Sequence, residues 1–375
     1  MNTGYQKFIY CVFLLTIFCA PALCAQVSFT GKVIDEKGDI AIENASVYFN
    51  NTSIATQTNA QGEFTFNNIP FFNTELVIYS PGYELVVFKP TAAQLAVKKF
   101  VFKMQAKQKA AILKNSPVGD SRKLYLDAFF QGVVGITQEA DQCTITNATA
   151  IRVGAGSENS GFIVVADTAL VIVNNMLGYT LHYNLEQFLF DGYTRRSYFT
   201  GYCRYEPLGT DKQFQLNRNH CYFGSSQHFY RSLVANKLYE QGFGVFMKDT
   251  TQAPHGIHTG EADDGGDRLL PITAQKILWI DSTNNFSIGV KGKLVVQYNR
   301  NPYSKPYLAQ VLNYVEGDLK KGMEANIAIK AAPVELTTIG VPVNDNTVDY
   351  GGFWSYEKLA NTLPLDYQPD AKPLK

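Results

Sequence analysis

Short runs of alternating apolar and polar residues fill the chain from Val27 to about Gln105. The runs are VSFTGKVID, ASVYF, SIATQT, EFTFNN, TELVIYS, YELVVF and KKFVFKM. Turn-forming residues separate them, and Gly62 and Gly82 stand where hairpin turns need a positive φ. Short strands divided by turns at this spacing predict a seven-stranded antiparallel β-sandwich.

From about Leu124 to the end, the pattern predicts a second β-rich domain with one long helix. The strand-like runs are GFIVVAD, ALVIVNN, GYTLHYNLEQFLF, RSYFTGYCRY and KGKLVVQYN. We place the helix between Ser225 or Ser226, either of which can cap its first turn, and Gly242, which suits a left-handed C-terminal position. The protein is therefore predicted to be mainly β.

The chain begins with the pattern of a secretory signal peptide. Lys7 supplies a positive charge, the run from Phe8 to Ala20 is apolar, and Ala25 offers a small residue before Gln26. We expect an exported bacterial protein in the periplasm, associated with the outer membrane or on the cell surface. After cleavage we expect no transmembrane segment.

These patterns divide the chain into four segments. Residues 106–123 are charged and broken by Pro117 and Gly119, which is typical of a linker or a short helix. The predicted segments are a signal peptide over 1–25, a β-sandwich over 26–105, a linker over 106–123 and a β-rich domain over 124–375.

Composition removes some partners and leaves others open. Lys plus Arg and Asp plus Glu both total 33, so no overall positive field favours nucleic acid. The 22 Tyr and 25 Phe favour strands and aromatic binding surfaces. Three cysteines follow the signal peptide, and this odd number allows either a Cys203 to Cys221 disulfide or free thiols at Cys143, Cys203 and Cys221.

A set of glycine, apolar and turn positions in the N-terminal region forms a specific pattern. Its members are Gly31, Val33, Asp35, Gly38, Ile42, Ala45, Val47, TNAQGEF from Thr58 and SPGYE from Ser80. This pattern resembles the carboxypeptidase regulatory-like domain, a transthyretin-like sandwich. The resemblance implies an accessory module of secreted and outer-membrane proteins, without catalytic residues and without peptidase activity of its own.

The C-terminal region also resembles a known arrangement. Its motifs are ALVIVNNMLGYTLHYNLEQFLFD, RSYFTGYCRYEPL, NRNHCYFGSSQHFYRSLVANKLYEQGFGVF and GGFWSYEKLANTLPLDYQP. They are similar to an uncharacterised module that follows regulatory-like domains in secreted proteins of polysaccharide-degrading bacteria. The resemblance implies an order of elements and an exported location, and it brings no activity.

The predicted helix has an apolar stripe and a polar half. The stripe that would pack on a sheet contains Phe229, Tyr230, Leu233, Val234 and Leu238. The other half contains His228, Arg231, Ser232, Ala235 and Tyr239. We expect this half to face solvent. The alternative is a ligand-binding face, in which Arg231 meets a carboxylate or phosphate and Tyr239 stacks on a ring.

Two further segments are candidate sites. We expect Trp354 and Tyr356 to pack in the core, with an exposed aromatic platform for sugar as the alternative. In HGIHTGEADDGGD, which starts at His255, His258 and Glu261 reproduce the HxxE spacing of zinc carboxypeptidases. Catalytic zinc needs a third ligand, in that family a downstream histidine, and His258 is the last histidine here. We therefore expect an acidic loop, no cofactor and no catalytic metal.

The functional hypothesis is a non-enzymatic binding or adaptor protein of the bacterial envelope. Its partner would be a glycan or an envelope protein. The alternative is a secreted hydrolase acting on peptide or glycan, with metal dependence possible through the loop that contains His258 and Glu261. In that alternative His228 and Arg231 would otherwise contribute to catalysis, and carboxylates from distant strands would have to come together, as they do in glycosidases. No catalytic residue is assigned from the sequence.

Overall fold

The computed structural model describes residues 27–69, 74–91, 94, 99–108, 119–156, 161–248, 269–282, 285–300, 323–343 and 347–370. Over these residues the protein is mainly β, as the sequence predicts. Among the described helices, none is both long enough and apolar enough to cross a bilayer.

Residues 27–104 form two sheets that share one core. The strands are β1 (Val27–Asp35), β2 (Ser46–Phe49), β3 (Ala55–Gln57), β4 (Glu63–Ile69), β5 (Leu76–Tyr79), β6 (Val86–Phe88) and β7 (Lys99–Met104). One sheet has the order β4-β1-β7 and the other β3-β2-β5-β6. The enclosed core contains Val33, Val47, Phe49, Phe64, Phe66, Leu76, Ile78, Phe102 and Met104.

The predicted antiparallel pairing is wrong for one strand pair. β1 and β4 run antiparallel, with Thr30 opposite Thr65, but β1 and β7 run parallel, with Thr30 opposite Lys99. The alternation of apolar residues determines which face of a sheet a side chain takes. It carries no information about the direction of the neighbouring strand.

The C-terminal region, from residue 119 onward, contains the remaining strands. They are β8 (Cys143–Ile145), β9 (Ile151–Ala155), β10 (Phe162–Ala166), β11 (Leu170–Asn174), β12 (Tyr179–Asp191), β13 (Arg196–Pro207), β14 (Phe243–Lys248), β15 (Leu269–Pro271), β16 (Leu278–Ile280), β17 (Phe286–Ile288), β18 (Gly292–Tyr298), β19 (Met323–Ile329), β20 (Val334–Leu336) and β21 (Val348–Gly352). The helices are α1 (Gly119–Val133), α2 (Gln138–Asp141), α3 (Lys212–Tyr222), α4 (Ser226–Val234) and α5 (Ala274–Ile277), with 3-10 turns at Ala148–Ala150 and Phe353–Tyr356.

The long strand β12 organises the first sheet of this region. The sheet has the order β8-β11-β12-β10-β9, and β13 pairs with β12 along nearly its whole length. Two further sheets have the orders β15-β14-β18-β19-β21 and β16-β17-β20. Helix α1 packs on the β12–β13 hairpin, where the rings of Phe129 and Phe188 lie 4.9 Å apart. A single hydrophobic core joins these sheets and helices.

The prediction of one long helix after Gly224 is wrong. Ser225 caps α4 by accepting the His228 N–H at 3.1 Å, but the helix has only nine residues. Asn236 takes a positive φ of 54°, which an L-residue adopts at the end of a helix and not inside one. The longest described helix is instead α1, whose first turn occupies residues 119–123 of the predicted linker.

An irregular segment at the end of the chain, residues 357–370, runs across the C-terminal region. We call it the C-terminal strap. The N–H groups of Leu359 and Ala360 donate to the last carbonyls of α1, at Val133 (3.1 Å) and Val134 (3.0 Å). The Asn174 side chain donates to the Ala360 carbonyl at 2.9 Å. The strap therefore satisfies helix and strand ends that would otherwise be buried without partners.

Candidate functional site

The turn between β2 and β3 joins the sandwich to the outer edge of β13. The Asn51 N–H donates to the Cys203 carbonyl at 2.7 Å, and the Tyr205 N–H donates to the Thr52 carbonyl at 2.9 Å. Thr52 and Arg204 thus form a parallel β-bridge. Because these are main-chain bonds, separating the sandwich from the C-terminal region would leave several polar groups unpaired.

Buried side chains reinforce this interface. Asn50 accepts the Cys203 N–H at 3.0 Å and donates to the Glu75 carboxylate at 3.3 Å. The Asn184 amide donates to the Tyr48 hydroxyl at 2.8 Å, and both residues are buried. The bonds from Cys203 to Asn50 and from Asn184 to Tyr48 cross the junction, so these polar groups are satisfied only while the sandwich and the C-terminal region stay together.

The C-terminal strap holds the same turn from another direction. The Leu365 N–H donates to the Asn51 carbonyl at 2.7 Å. The Asp366 carboxylate accepts the Ser53 N–H at 2.8 Å and also the Ser53 hydroxyl. The strap and the β13 edge thus hold the β2–β3 turn between them, which fixes the sandwich to the C-terminal region.

A polar cleft of about 350 Å³ lies at this junction. It is lined by residues of the sandwich and of the C-terminal region: Asn50, Asn51, Thr74, Glu75, Lys89, Glu186, Thr200, Gly201, Tyr202, Thr337, Val341, Pro342, Val343 and Leu365. We call it the interdomain cleft. Clefts between domains are frequent ligand sites, and the volume fits a small organic molecule or one or two sugar rings.

Charged groups converge on Tyr202 inside the cleft. Burial raises the pKa of Tyr202, and the nearby Glu186 and Glu75 carboxylates raise it further. Burial also raises the pKa of Glu186, while Lys107 of the sandwich lowers it and Glu84 raises it. Glu75 of the sandwich and Glu186 of the C-terminal region therefore line the same cleft as Tyr202, and their carboxylates offer acceptors for the hydroxyl groups of a ligand.

Sequence reasoning missed Glu75, Glu186 and Tyr202. A signal for Glu186 was present, because the apolar alternation of β12 shifts there. The β12–β13 register is interrupted between Leu185 and Gln187, so Glu186 is the additional residue of a β-bulge. Bulges redirect a side chain away from the face that alternation assigns to it. Nothing in the sequence places Glu75 opposite this bulge.

The geometry of the sandwich agrees with the motif positions found in its sequence. Gly62 has a φ of 73°, and a Cβ there would lie 2.4 Å from the Val33 carbonyl oxygen. The TNAQGEF turn therefore requires glycine at this position. Residues 29–112 match the family model of the CarboxypepD_reg-like domain. The identification applies to this regulatory-like domain and not to the C-terminal region. No curated protein matches the chain.

The predicted solvent exposure of His228 is wrong. Its side chain is buried in a box of aromatic rings, and Ser232 beside it is also buried. The Gly224 N–H donates to Nδ1 at 3.1 Å, and Nε2 lies 3.1 Å from Gln241 Oε1. Burial lowers the pKa of His228 to about 4, so the ring is neutral at physiological pH. The helical-wheel argument failed for His228 because Tyr298 of β18 packs on its ring, and the strap contacts the neighbouring Arg231.

We expect His228 to make the protein sensitive to acid. Its pKa in the folded protein is about 4, below the usual 6.5, so the unfolded chain binds the proton more tightly. This contribution to stability is complete above pH 6.5 and decreases as the pH falls to 4. Over that range His228 should reduce the free energy of unfolding by about 2 to 3 kcal/mol.

Urea titrations of wild type and His228→Phe between pH 4 and pH 7 measure this effect. The variant loses the bonds to Gly224 and Gln241 and should be less stable at pH 7. The difference between the two proteins should shrink as the pH falls, since only wild type is destabilised by protonation of this ring. A difference that stays constant with pH would contradict the assignment.

The remaining helix candidates are placed differently. Arg231 is half-buried and donates to the carbonyls of Leu365 at 2.7 Å and Tyr367 at 2.9 Å, so it holds the strap. Tyr239 follows the helix and is 92% exposed. These residues do not line the interdomain cleft. The structure therefore does not bring them together with Glu75 and Glu186.

Trp354 is not an exposed platform. It is 4% exposed, packs on Phe229, and donates its indole N–H to the Gly224 carbonyl at 2.9 Å. Tyr356 is half-buried against the same core. The segment therefore packs in the core, with both aromatic side chains anchoring the start of the strap.

The structure describes the three cysteines of the C-terminal region but not the candidate metal ligands. His255, His258 and Glu261 lie outside the described residues. Within the described ranges, no group of three or more His, Cys, Asp or Glu side chains could hold a metal ion. The cysteines at 143, 203 and 221 are buried free thiols, and burial raises the pKa of Cys143 to about 12.

A second cavity of about 200 Å³ shares Asn51 and Leu365 with the interdomain cleft. Glu357, at the start of the strap, lines it. Its carboxylate accepts the Ser226 hydroxyl at 2.7 Å and the Ser226 N–H at 3.2 Å. Burial nevertheless raises the pKa of Glu357 to about 7.

Proposed function

We propose that this protein is a non-enzymatic glycan-binding protein of a bacterial envelope, with its binding site in the interdomain cleft. The observation that carries the proposal is a cleft lined by Glu75, Glu186 and Tyr202, at a junction fixed by main-chain bonds. Carboxylates and amides bind sugar hydroxyl groups, and a tyrosine ring provides a face for a pyranose.

The rigidity of the junction supports this proposal. A binding site built from two domains holds its ligand only if the domains keep a fixed geometry, because ordering mobile walls costs free energy on binding. Here Asn50, the β2–β3 turn and the strap fix that geometry before any ligand arrives. A preformed cleft suits an adaptor whose role is to hold a ligand.

Other elements of the proposal come from the sequence. The N-terminal signal pattern supports export, and the CarboxypepD_reg-like match supports an accessory role in the first domain. The hydrolase alternative would use His228 and Arg231 or the loop with His258 and Glu261. His228 and Arg231 hold α4 and the strap and do not line the cleft, and the loop lies outside the described residues.

A glycan array with the mature protein, residues 26–375, tests the proposal. We expect binding to a subset of neutral glycans, and we expect Glu186→Gln to weaken it about tenfold, equal to about 1.4 kcal/mol, through loss of a charged acceptor. Glu206→Gln is the matched control, since Glu206 lies on β13, is exposed and does not line the cleft. No binding to any glycan, or equal losses in both variants, would contradict it.

A further inference from the structure

A third cavity, of about 300 Å³, opens beside α4 and the end of the strap. We call it the helix pocket. Its polar walls are formed by His228, Arg231, Ser232, Lys237, Gln241 and Gln368. Its apolar walls include Tyr222 and Phe223. No residue that lines the helix pocket in the described structure is Asp or Glu.

The charged side chains that line this pocket are positive. Arg231 and Lys237 line it, and both Arg231 and Arg300 act electrostatically on His228 in its wall. Arg231 is held in place by the strap carbonyls and lies 5.5 Å from the centre of the Tyr222 ring. A guanidinium fixed in this way loses little conformational entropy when it meets an anion.

The hydrogen bonds of His228 add a donor to the same wall. Nδ1 accepts the Gly224 N–H, so the proton of the neutral ring is on Nε2 and donates to the Gln241 carbonyl oxygen. This fixes the orientation of the Gln241 amide and leaves its NH₂ group as a donor. The Ser232 hydroxyl already donates to the His228 carbonyl at 2.7 Å. The walls thus present donors and positive charge.

A buried hydroxyl lies next to this arrangement. Tyr298 packs on His228, with ring centroids 5.8 Å apart, and is 3% exposed. Among the described residues, its hydroxyl has no hydrogen-bond partner. An unpaired buried hydroxyl costs free energy, so its presence in a native structure calls for an explanation, of which a functional role nearby is one.

We propose that the helix pocket binds a small organic carboxylate with an apolar body. Arg231, Lys237 and the Gln241 amide meet the carboxylate, and the rings of Tyr222 and Phe223 contact the apolar body. This site is separate from the interdomain cleft, and the inference does not depend on glycan binding. Its chemistry differs too, since the cleft presents two carboxylates beside Lys89, whereas Arg231 and Lys237 line the helix pocket without a carboxylate.

Isothermal titration calorimetry of the mature protein at low salt tests the proposal. Benzoate is the probe, and benzyl alcohol is its neutral match. We expect saturable binding of benzoate only. Lys237→Glu should weaken it at least tenfold, because Lys237 is exposed and its replacement reverses a charge without disturbing the core. Lys293→Glu, at an exposed position on β18 outside the pocket, should leave benzoate affinity unchanged.

A second variant tests the amide donor, and its fold is first checked by circular dichroism, because Gln241 also accepts the buried His228 Nε2–H. Gln241→Leu removes the amide donor and keeps the net charge, so it should weaken benzoate binding several-fold, whereas Glu186→Gln in the cleft should have no effect. The proposal is overturned if benzoate does not bind. It is also overturned if benzyl alcohol binds as tightly as benzoate, or if Lys237→Glu and Lys293→Glu lose the same benzoate affinity. Tighter binding of inorganic phosphate than of benzoate would overturn it as well.

Discussion

Replacing Glu357 by Gln is expected to stabilise the protein by about 2 to 3 kcal/mol at pH 8 and to have little effect at pH 4.5. The pKa of Glu357 in the folded protein is about 7, above its usual 4.5, so the folded state binds this proton more tightly. The stability contributed by the proton is complete below pH 4.5 and is lost as the pH rises through 7.

The glutamine variant keeps the contacts and removes the titration. Its side-chain oxygen can accept the Ser226 N–H, and its amide can contact the Ser226 hydroxyl, in the positions that the Glu357 carboxylate now occupies. Urea denaturation from pH 4.5 to pH 8 measures the effect. Glu240→Gln, at an exposed position after α4, is the control and should follow wild type at every pH. If the free energy of unfolding of Glu357→Gln changed with pH in parallel with that of wild type, the argument would be contradicted.

Glu357 and His228 should have opposite effects between pH 4.5 and pH 6.5. Over that range the folded protein gains stability with rising pH through His228 and loses it through Glu357. The two contributions partly offset each other in wild type. Removing either group by mutation should therefore reveal how the other group alone makes the free energy of unfolding depend on pH.

Replacing Asn50 by Ala is expected to cost about 2 to 3 kcal/mol, because it leaves the buried Cys203 N–H without its acceptor and removes the amide donor to the Glu75 carboxylate, which keeps the Thr74 hydroxyl. The substitution acts at the junction and spares both hydrophobic cores. We therefore expect the regulatory-like domain to unfold separately from the C-terminal region. Gln57→Ala, at an exposed position on β3 of the same domain, should leave stability almost unchanged.

Two optical probes can detect separate unfolding. The chain contains two tryptophans, Trp279 and Trp354, and both lie in the C-terminal region, so their fluorescence reports on it alone. Far-UV circular dichroism reports on the sandwich as well. In wild type the two urea transitions should coincide, and in Asn50→Ala they should separate. Coincident transitions with a loss below about 0.5 kcal/mol would show that Asn50 does not couple the domains.

The sequence predicted the elements better than their arrangement. Local alternation and turn residues were sufficient for the strands of the sandwich and for a mainly β C-terminal region, because these signals arise from neighbours in the chain. The direction of β7 beside β1 and the early end of α4 were not predicted. Both depend on contacts with segments distant in sequence, which a local pattern does not contain.

The candidate sites show the same limit. His228 and Trp354 were offered as binding residues for their chemistry, but the structure uses both to pack the core around Gly224. Glu75 and Glu186 are ordinary residues in the sequence and meet only because the β2–β3 turn docks on β13. A site assembled across a domain junction has no single motif by which to find it.

The most direct test of the cleft as the glycan site is to block it. Thr200 is exposed and lines the cleft, and the cysteines at 143, 203 and 221 are buried, so a bulky maleimide should label Thr200→Cys selectively. Thr144→Cys, exposed on β8, provides a labelled control outside the cleft. We predict that labelled Thr200→Cys loses affinity for the array-selected glycan at least tenfold while labelled Thr144→Cys retains it. Unchanged affinity in labelled Thr200→Cys would contradict the account.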